Sequence, residues 1–440
     1  MIFEPEFEAM PREGLRELQA RRLRDVVARV YDRVPFYRER LDAAGVSPRD
    51  IRSVDDLPRL PLTRKDDLRE TYPFGLLAVP RSQCVRVHAS SGTTGKPIVA
   101  GYTRADVDLF ARVNARALAL AGAEPGMMLH NAYGYGLFTG GLGLHLGGER
   151  LGLTVVPVSG GMTERQVLLI EDFRPDGISC TPSYALTLAQ ALAERGHAPD
   201  EISLRFACLG AEPWTDAMRE QIDRGLGVRA TNIYGLTEVI GPGVSNECVE
   251  ERSGSHVSED HFLPEVVDPE SGEPLPEGAE GVLVFTTLTK EAVPLLRYAT
   301  GDITTLRTDT CTCGRTSARM GLIKGRSDDM LIVRGINVYP TQVESVLVRV
   351  PELSPHYRLI VTREGTLDEV EVQVEVREEC AASVGGEVDG GRLEPLAARV
   401  RELIRSSIGT SMRVTLLPPG EGPRSEGGKI RRVEDRRRLS

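Results

Sequence analysis

The feature that most constrains the fold is an alternation of apolar runs and amphipathic segments between Cys84 and Leu209. In order they are CVRVHAS, RADVDLFARVNARALALAG, MMLHNAY, GLTVVPV, ERQVLLIEDFRPDGISC, ALTLAQALAERG and LRFACLG. Short β-prone runs separated by stretches with helical periodicity predict a parallel sheet covered by helices. Ahead of it, Leu15, Leu18, Leu23, Val26, Val27 and Val30 recur at helical spacing over residues 13–44 and VPFYRERL follows, so two helices are expected as an N-terminal cap. Thr63 in PLTRKDDL is the expected N-cap of the next helix.

Residues 241–320 are rich in Gly, Pro and Thr and hold β-prone stretches such as HFLPEVVD and EGVLVFTTL, which predicts a more antiparallel subdomain. Beyond GRSDDM come LIVRGINVYPTQVESVLVRV, the β runs HYRLIVTRE and EVEVQVEVRE, a helix at 392–407 and a strand MRVTLLP. That order reads as a small α+β domain. The expected class is therefore α/β, with domain one over 1–327 (its β-rich part about 241–327) and domain two over 328–440.

The chain has 440 residues, 40% hydrophobic and 27% charged, as globular chains of two or three domains do. A formal charge of −10 argues against a nucleic-acid partner. The basic run RRVEDRRRLS is expected to be a solvated tail or a last helix. No apolar stretch approaches the ~20 residues that span a bilayer, and the acidic start MIFEPEFEAM lacks the basic region of a secretory signal. A cytoplasmic protein with no membrane partner is expected. Seven cysteines form no obvious disulfide framework and suit reduced thiols with one metal cluster.

Four local patterns carry chemistry. His88-Ala-Ser-Ser-Gly-Thr-Thr-Gly-Lys-Pro97 combines glycines, hydroxyls and an ammonium, the makings of a phosphate cradle distinct from a Walker A loop. Asn232-Ile-Tyr-Gly-Leu-Thr-Glu238 offers a ring for a purine, a hydroxyl for a phosphate and a carboxylate for Mg²⁺. Arg297-Tyr-Ala-Thr-Gly-Asp302 and Gly325-Arg-Ser-Asp-Asp-Met330 offer an Asp and an Arg for a ribose diol. Cys248 and His256, with Cys311 and Cys313, suggest one closed structural Zn²⁺ site, the other reading being free buried thiols.

The series SSGTTGKP, YGLTE, TGD, GRSDDM and a late lysine, Lys429, resembles the adenylate-forming superfamily of acyl-CoA synthetases, luciferases and adenylation domains. NAYGYGLFTGGLG, TPSYAL, GAEPWTDAMR, EDHF, TLTKEAVPLLRY, CTCGRT and GRSDDMLIVRGINVYPTQVE narrow the resemblance to the phenylacetate–coenzyme A ligases, over roughly residues 23–438.

The resemblance implies an AMP-forming acid–thiol ligase that makes an acyl adenylate from ATP and then a coenzyme A thioester. Ser90, Ser91, Gly92, Thr93, Thr94, Gly95 and Lys96 would hold the β- and γ-phosphates, Thr237 the α-phosphate and Glu238 the Mg²⁺. Tyr234, with Glu212 and Pro213, would sandwich the adenine; Asn232 and Gly235 belong to the same nucleotide-binding strand; Asp302 and Arg326 would take the ribose hydroxyls. Tyr133, Phe138, Gly210, Ala211, Ile233 and Pro242 would surround an aromatic acyl group. Lys429 would serve adenylation, Asp328 would be the hinge of a swinging C-terminal domain, and the loop with Arg334 and Gly335 would line the pantetheine tunnel. A homodimer is also implied.

Two departures bear on the substrate. The chain reads Tyr-Ala-Thr-Gly-Asp where many phenylacetate ligases have Tyr-Arg-Thr-Arg-Asp, and Asn232 stands for the usual Asp. Phenylacetate or a related aryl acid, such as an aminobenzoate (anthranilate) or a hydroxybenzoate, is the expected substrate. Loading of a carrier-protein phosphopantetheine and a non-catalytic nucleotide-binding homologue are the alternatives.

Overall fold

The computed structural model describes residues 1–90, 97–326, 331–333, 336–364, 367–383, 388, 391–424 and 432–436. They fall into two compact units, Met1–Ala211 with Asp223–Leu322, and Glu212–Ile222 with the described residues of Ile323–Ser440.

The first unit is built on a nine-stranded sheet. Its parallel part runs in the order Thr154–Val156, Met128–Asn131, Gly177–Cys180, Phe206–Gly210, Arg229–Leu236. It then continues antiparallel through Gly241–Glu247, Ser255–Val257, Arg319–Met320 and Leu306–Arg307. The crossovers between the first four of these strands are the helices Gly140–Leu151, Thr163–Phe173 and Pro182–Glu194, and Asp216–Leu226 lies between Phe206–Gly210 and Arg229–Leu236 in the chain. Every residue of Phe206–Gly210 is buried, which explains why the parallel strands read as unbroken apolar runs. A second, antiparallel sheet contains Phe262–Val267, Gly281–Thr287 and Tyr298–Thr304.

Three expectations need correction. CVRVHAS does not join the parallel sheet: Arg86–Ala89 pairs antiparallel with Val99–Tyr102, because that next β-prone run offers a nearer partner in the chain, and Ser90 N–H donates to Ile98 O at 2.9 Å. Thr63 is not an N-cap. Its backbone bridges Tyr298 and its hydroxyl donates to Leu296 O at 2.7 Å, so the helix Lys65–Glu70 begins later, with Asp67 accepting from Arg64 N–H. Within the basic C-terminal run the described Val433–Asp435 is a strand, neither helix nor plain tail: it pairs parallel with Leu359–Val361 and covers that strand's otherwise free edge.

The second unit has the hairpin Leu331–Val333/Ile336–Val338, the helix Pro340–Leu347, and a four-stranded sheet ordered Arg413–Leu417, Leu367–Val376, Leu353–Glu364, Val433–Asp435. The helix Glu394–Ile408 covers it, burying Leu396, Ala397, Val400 and Ile404 in a core shared with Val343, Leu347, Leu359, Val361, Val372 and Val374. Among the described residues no helix is long and apolar enough to cross a membrane.

Candidate active site

The Tyr-Gly-Leu-Thr-Glu motif ends the strand Arg229–Leu236 and turns into Gly241–Glu247. Gly235 is required there: a Cβ would sit 1.9 Å from Gly241 O. Two side chains from elsewhere brace the turn. Tyr102 O–H donates to Ile240 O at 2.7 Å, and the Lys290 ammonium donates to Glu238 O at 3.1 Å. Lys290 is 0% exposed and lies over the Tyr102 ring, 5.0 Å from its centroid. Burial pushes its pKa down to about 8, against the pull of Asp106 and Glu238.

The Glu238 carboxylate is half-buried and makes no hydrogen bond or ion pair with the described residues. It lines a cleft with Ile98, Val99 and Gly101, which follow the Ser/Thr/Gly loop in the chain. A lone hard oxygen ligand open to solvent fits Mg²⁺, which keeps several waters and takes its remaining ligands from phosphates. Ser90 closes the hairpin, its Oγ accepting from Ile98 N–H at 3.0 Å. Ser91, Gly92, Thr93, Thr94, Gly95 and Lys96 lie outside the described residues, as do Asp328, Arg334, Gly335 and Lys429.

Tyr234 and Asp302 are brought together: the phenol donates to Asp302 Oδ2 at 2.5 Å, and Asp302 N–H donates to Thr300 Oγ1 at 3.0 Å. Thr237 is buried beside them in the chain, and Asn232 N–H donates to Glu247 Oε2 at 2.8 Å. Arg297, from the same motif as Asp302, is committed elsewhere. Its guanidinium pairs with Glu265 and donates to the carbonyls of Pro58, Leu60 and Gly272. Arg326, Glu212 and Pro213 belong to the second unit.

The acyl-side residues share one apolar cluster. Tyr133 and Ile233 are buried in it, and Phe138 and Ala211 pack against it. The rings of Tyr133 and Phe138 stand 6.4 Å apart at 49°. A Cβ on Gly210 would lie 2.1 Å from Ile233 O, so only glycine allows these neighbouring strands to approach. Pro242 sits on the facing strand, against Gly143. Behind the cluster Asn131 donates to Tyr135 Oη and Gly141 O, and accepts from Ser179 Oγ at 3.0 Å.

Cys248, His256, Cys311 and Cys313 converge, their ligand atoms all within 4.8 Å of one another. The Cys248 and Cys311 sulfurs are 3.6 Å apart and Cys313 Sγ is 3.4 Å from His256 Nε2. A tetrahedral Zn²⁺ with Zn–S near 2.3 Å would set two ligand sulfurs about 3.8 Å apart, so the set fits. His256 Nδ1 faces Ser317 Oγ at 3.1 Å, the outer partner that holds a zinc-binding imidazole in place. Crowding splits the thiols: donation from Cys248, then from His256, holds Cys313 low, at the expense of Cys248, which is pushed up. The loop also anchors the N-terminus, where Glu8 pairs with Arg315 at 2.6 Å.

Sequence reading missed Lys290, Tyr102 and Ser317. Lys290 alone left a signal, a lysine inside the otherwise apolar TTLTKEAVPLL.

The family described as AMP-binding enzyme matches residues 27–288, and the AMP-binding enzyme C-terminal domain family matches residues 335–437. In fold, the chain is similar to a crystal structure of 2-hydroxyisobutyryl-CoA ligase in complex with R3-HIB-AMP: TM-score 0.89 and 29% identity, covering 98% of this chain and 91% of that one. These define an AMP-forming acid–coenzyme A ligase. In sequence it is 66% identical to the phenylacetate-coenzyme A ligase of Thermus thermophilus over 100% of both chains. It is 51% identical to that of Escherichia coli K12, over 97% of this chain and 95% of the relative. The chain belongs to the phenylacetate–coenzyme A ligase family.

Proposed function

We propose that this ligase activates phenylacetate. A carboxylate oxygen attacks the α-phosphorus of ATP, the bond to pyrophosphate breaks, and the acyl adenylate is then attacked by the thiol of coenzyme A, losing AMP. The observation that carries this reading is adjacency on one strand. Ile233 belongs to the apolar cluster of Tyr133, Phe138 and Ala211, while the next residue, Tyr234, reaches Asp302. The same strand end thus offers an apolar side chain, Ile233, to an aromatic acyl group and the neighbouring Tyr234, with Asp302, to a nucleotide.

Bringing a carboxylate to a phosphate is an electrostatic problem, solved by preorganised positive charge. In this reading Lys96 and Lys429 supply that charge, Thr237 orients the α-phosphate, Asp302 and Arg326 take the ribose, and Glu238 is the Mg²⁺ ligand. Mg²⁺, when bound, neutralises phosphate oxygens. A Zn²⁺ held by Cys248, His256, Cys311 and Cys313 is structural, because four protein ligands leave no open position. Seven free thiols favour a reducing, cytoplasmic setting. A homodimer is proposed on family resemblance alone.

The test is pyrophosphate release with phenylacetate, benzoate, 2-aminobenzoate, hydroxybenzoates and medium-chain fatty acids, with and without coenzyme A. Phenylacetate should lead in kcat/KM and yield a thioester with free coenzyme A. A fatty-acid preference would overturn the aromatic slot, and turnover confined to a carrier protein would overturn the acceptor.

A further inference from the structure

We infer that Lys290 is a positioning residue, whose buried ammonium, together with Tyr102, sets the Thr237–Glu238 turn for the magnesium nucleotide. The inference rests on the reading of Thr237 and Glu238 as the Mg²⁺–ATP side. Lys290 contacts no position expected to touch substrate by side chain; it holds a backbone carbonyl, that of Glu238.

The geometry ties three segments together. Tyr102 ends the hairpin strand that follows the Ser/Thr/Gly loop; its ring carries the Lys290 ammonium on one face, and its hydroxyl holds Ile240 O. The turn is thus gripped at Glu238 and again two residues on. The segment presenting Lys290 is itself fixed. The Asp106 carboxylate accepts from Glu291 N–H at 2.7 Å and Ala292 N–H at 2.9 Å, while also closing the capping box of the helix Arg104–Leu120 through Thr103 N–H at 3.0 Å. His88, one strand away, stacks edge-on against the Tyr102 ring at 5.3 Å.

A fully buried ammonium is costly, and a residue serving only the core would be replaced by an apolar one without penalty. What an apolar side chain cannot do is donate to Glu238 O and keep positive charge behind a carboxylate meant for a divalent cation. The site accordingly tolerates the cost of burying Lys290 in exchange for a preset turn.

Four variants test this: Lys290→Met, Tyr102→Phe, Glu238→Gln, and Lys290→Met combined with Glu238→Gln. Calorimetry measures binding of a nonhydrolysable ATP analogue with Mg²⁺, thermal unfolding without nucleotide reports folding, and pyrophosphate release gives separate KM values for ATP and for phenylacetate. In Lys290→Met the loss of the hydrogen bond and the relief of burial oppose each other, so its melting temperature should stay near wild type. Its affinity for the analogue should nevertheless fall by on the order of tenfold, and KM should rise for ATP and not for the acid. Tyr102→Phe should move the same way by about threefold, and the double variant should be no worse than the poorer single one. Unchanged analogue affinity in Tyr102→Phe and Lys290→Met overturns the inference, as does full additivity of the pair. If Lys290→Met does not fold, Tyr102→Phe decides alone. Analogue binding by Glu238→Gln with wild-type dependence on Mg²⁺ would instead overturn the metal reading of Glu238, a separate failure.

Discussion

Asp302 and Arg297 stand five positions apart in one motif and do opposite jobs. Asp302 keeps one oxygen for the Tyr234 phenol and, in the proposed reading, offers the carboxylate to the ribose, where an ionised acceptor contributes about 1.5–3 kcal/mol. Asp302→Asn should therefore weaken binding of a nonhydrolysable ATP analogue by roughly ten- to a hundredfold by calorimetry, with KM for the acid unmoved. Arg297→Lys should leave that affinity alone and lower thermal stability instead, because one ammonium cannot serve Glu265 and three carbonyls at once. The motif was legible in the sequence; this division of labour was not. The partners of Arg297 lie at Pro58, Leu60, Glu265 and Gly272, and no local spacing announces a long-range hydrogen bond. Lys290 escaped for the same reason, since its partners are a backbone carbonyl and the face of a ring.

Elements were legible where periodicity and burial agree. The helices over 13–44 and the apolar strand Phe206–Gly210 follow directly from their patterns. The hairpin Arg86–Ala89/Val99–Tyr102 was misread because a short apolar run does not say which edge it will pair with. Gly210 shows how tightly the strands are set: Gly210→Ala would force a Cβ into Ile233 O, a backbone atom that cannot step aside. Overpacking of this kind costs about 1–3 kcal/mol. The variant should melt several degrees lower and lose aryl-acid turnover as the acyl cluster shifts. The cysteine–histidine cluster ties His256, on the strand Ser255–Val257, and Cys248, just past Gly241–Glu247, to the loop of Cys311 and Cys313, so Cys313→Ser should lower the melting temperature by ~5 °C or more. Elemental analysis should find about one zinc per wild-type chain and less in the variant. KM for ATP should not change, and a metal-free wild-type protein of full stability would sink the zinc assignment.

The molecule as a whole is two units with separate cores, so its unfolding need not be two-state, and a group that titrates in one unit should mark that unit's transition. Glu344 is such a group. It is buried in the second unit, accepts from the Tyr357 phenol at 2.9 Å and lies 4.0 Å from Arg432 Nε, whose guanidinium is already spent on the Tyr357 ring and the carbonyls of Pro355 and Tyr357. Its other oxygen, Oε1, has no hydrogen-bond partner among the described residues. Burial outweighs the pull of Arg432 and Tyr357 and raises the carboxyl from its ordinary 4.5 to about 7. The folded state thus keeps a proton that the unfolded chain gives up. Stability from this group is full below pH 4.5 and falls as pH rises to about 7, where the charge must be buried. Glu344→Gln keeps the shape and removes the titration. In scanning calorimetry the variant should gain on the wild type by roughly 2 kcal/mol between about pH 5.5 and 8.5, at 1.36 kcal/mol per unit. The gain should appear in the transition of the second unit alone, while Cys313→Ser moves the transition of the first. A difference between Glu344→Gln and wild type that stays constant with pH would show that the carboxyl is already ionised in the fold, held by Arg432 after all.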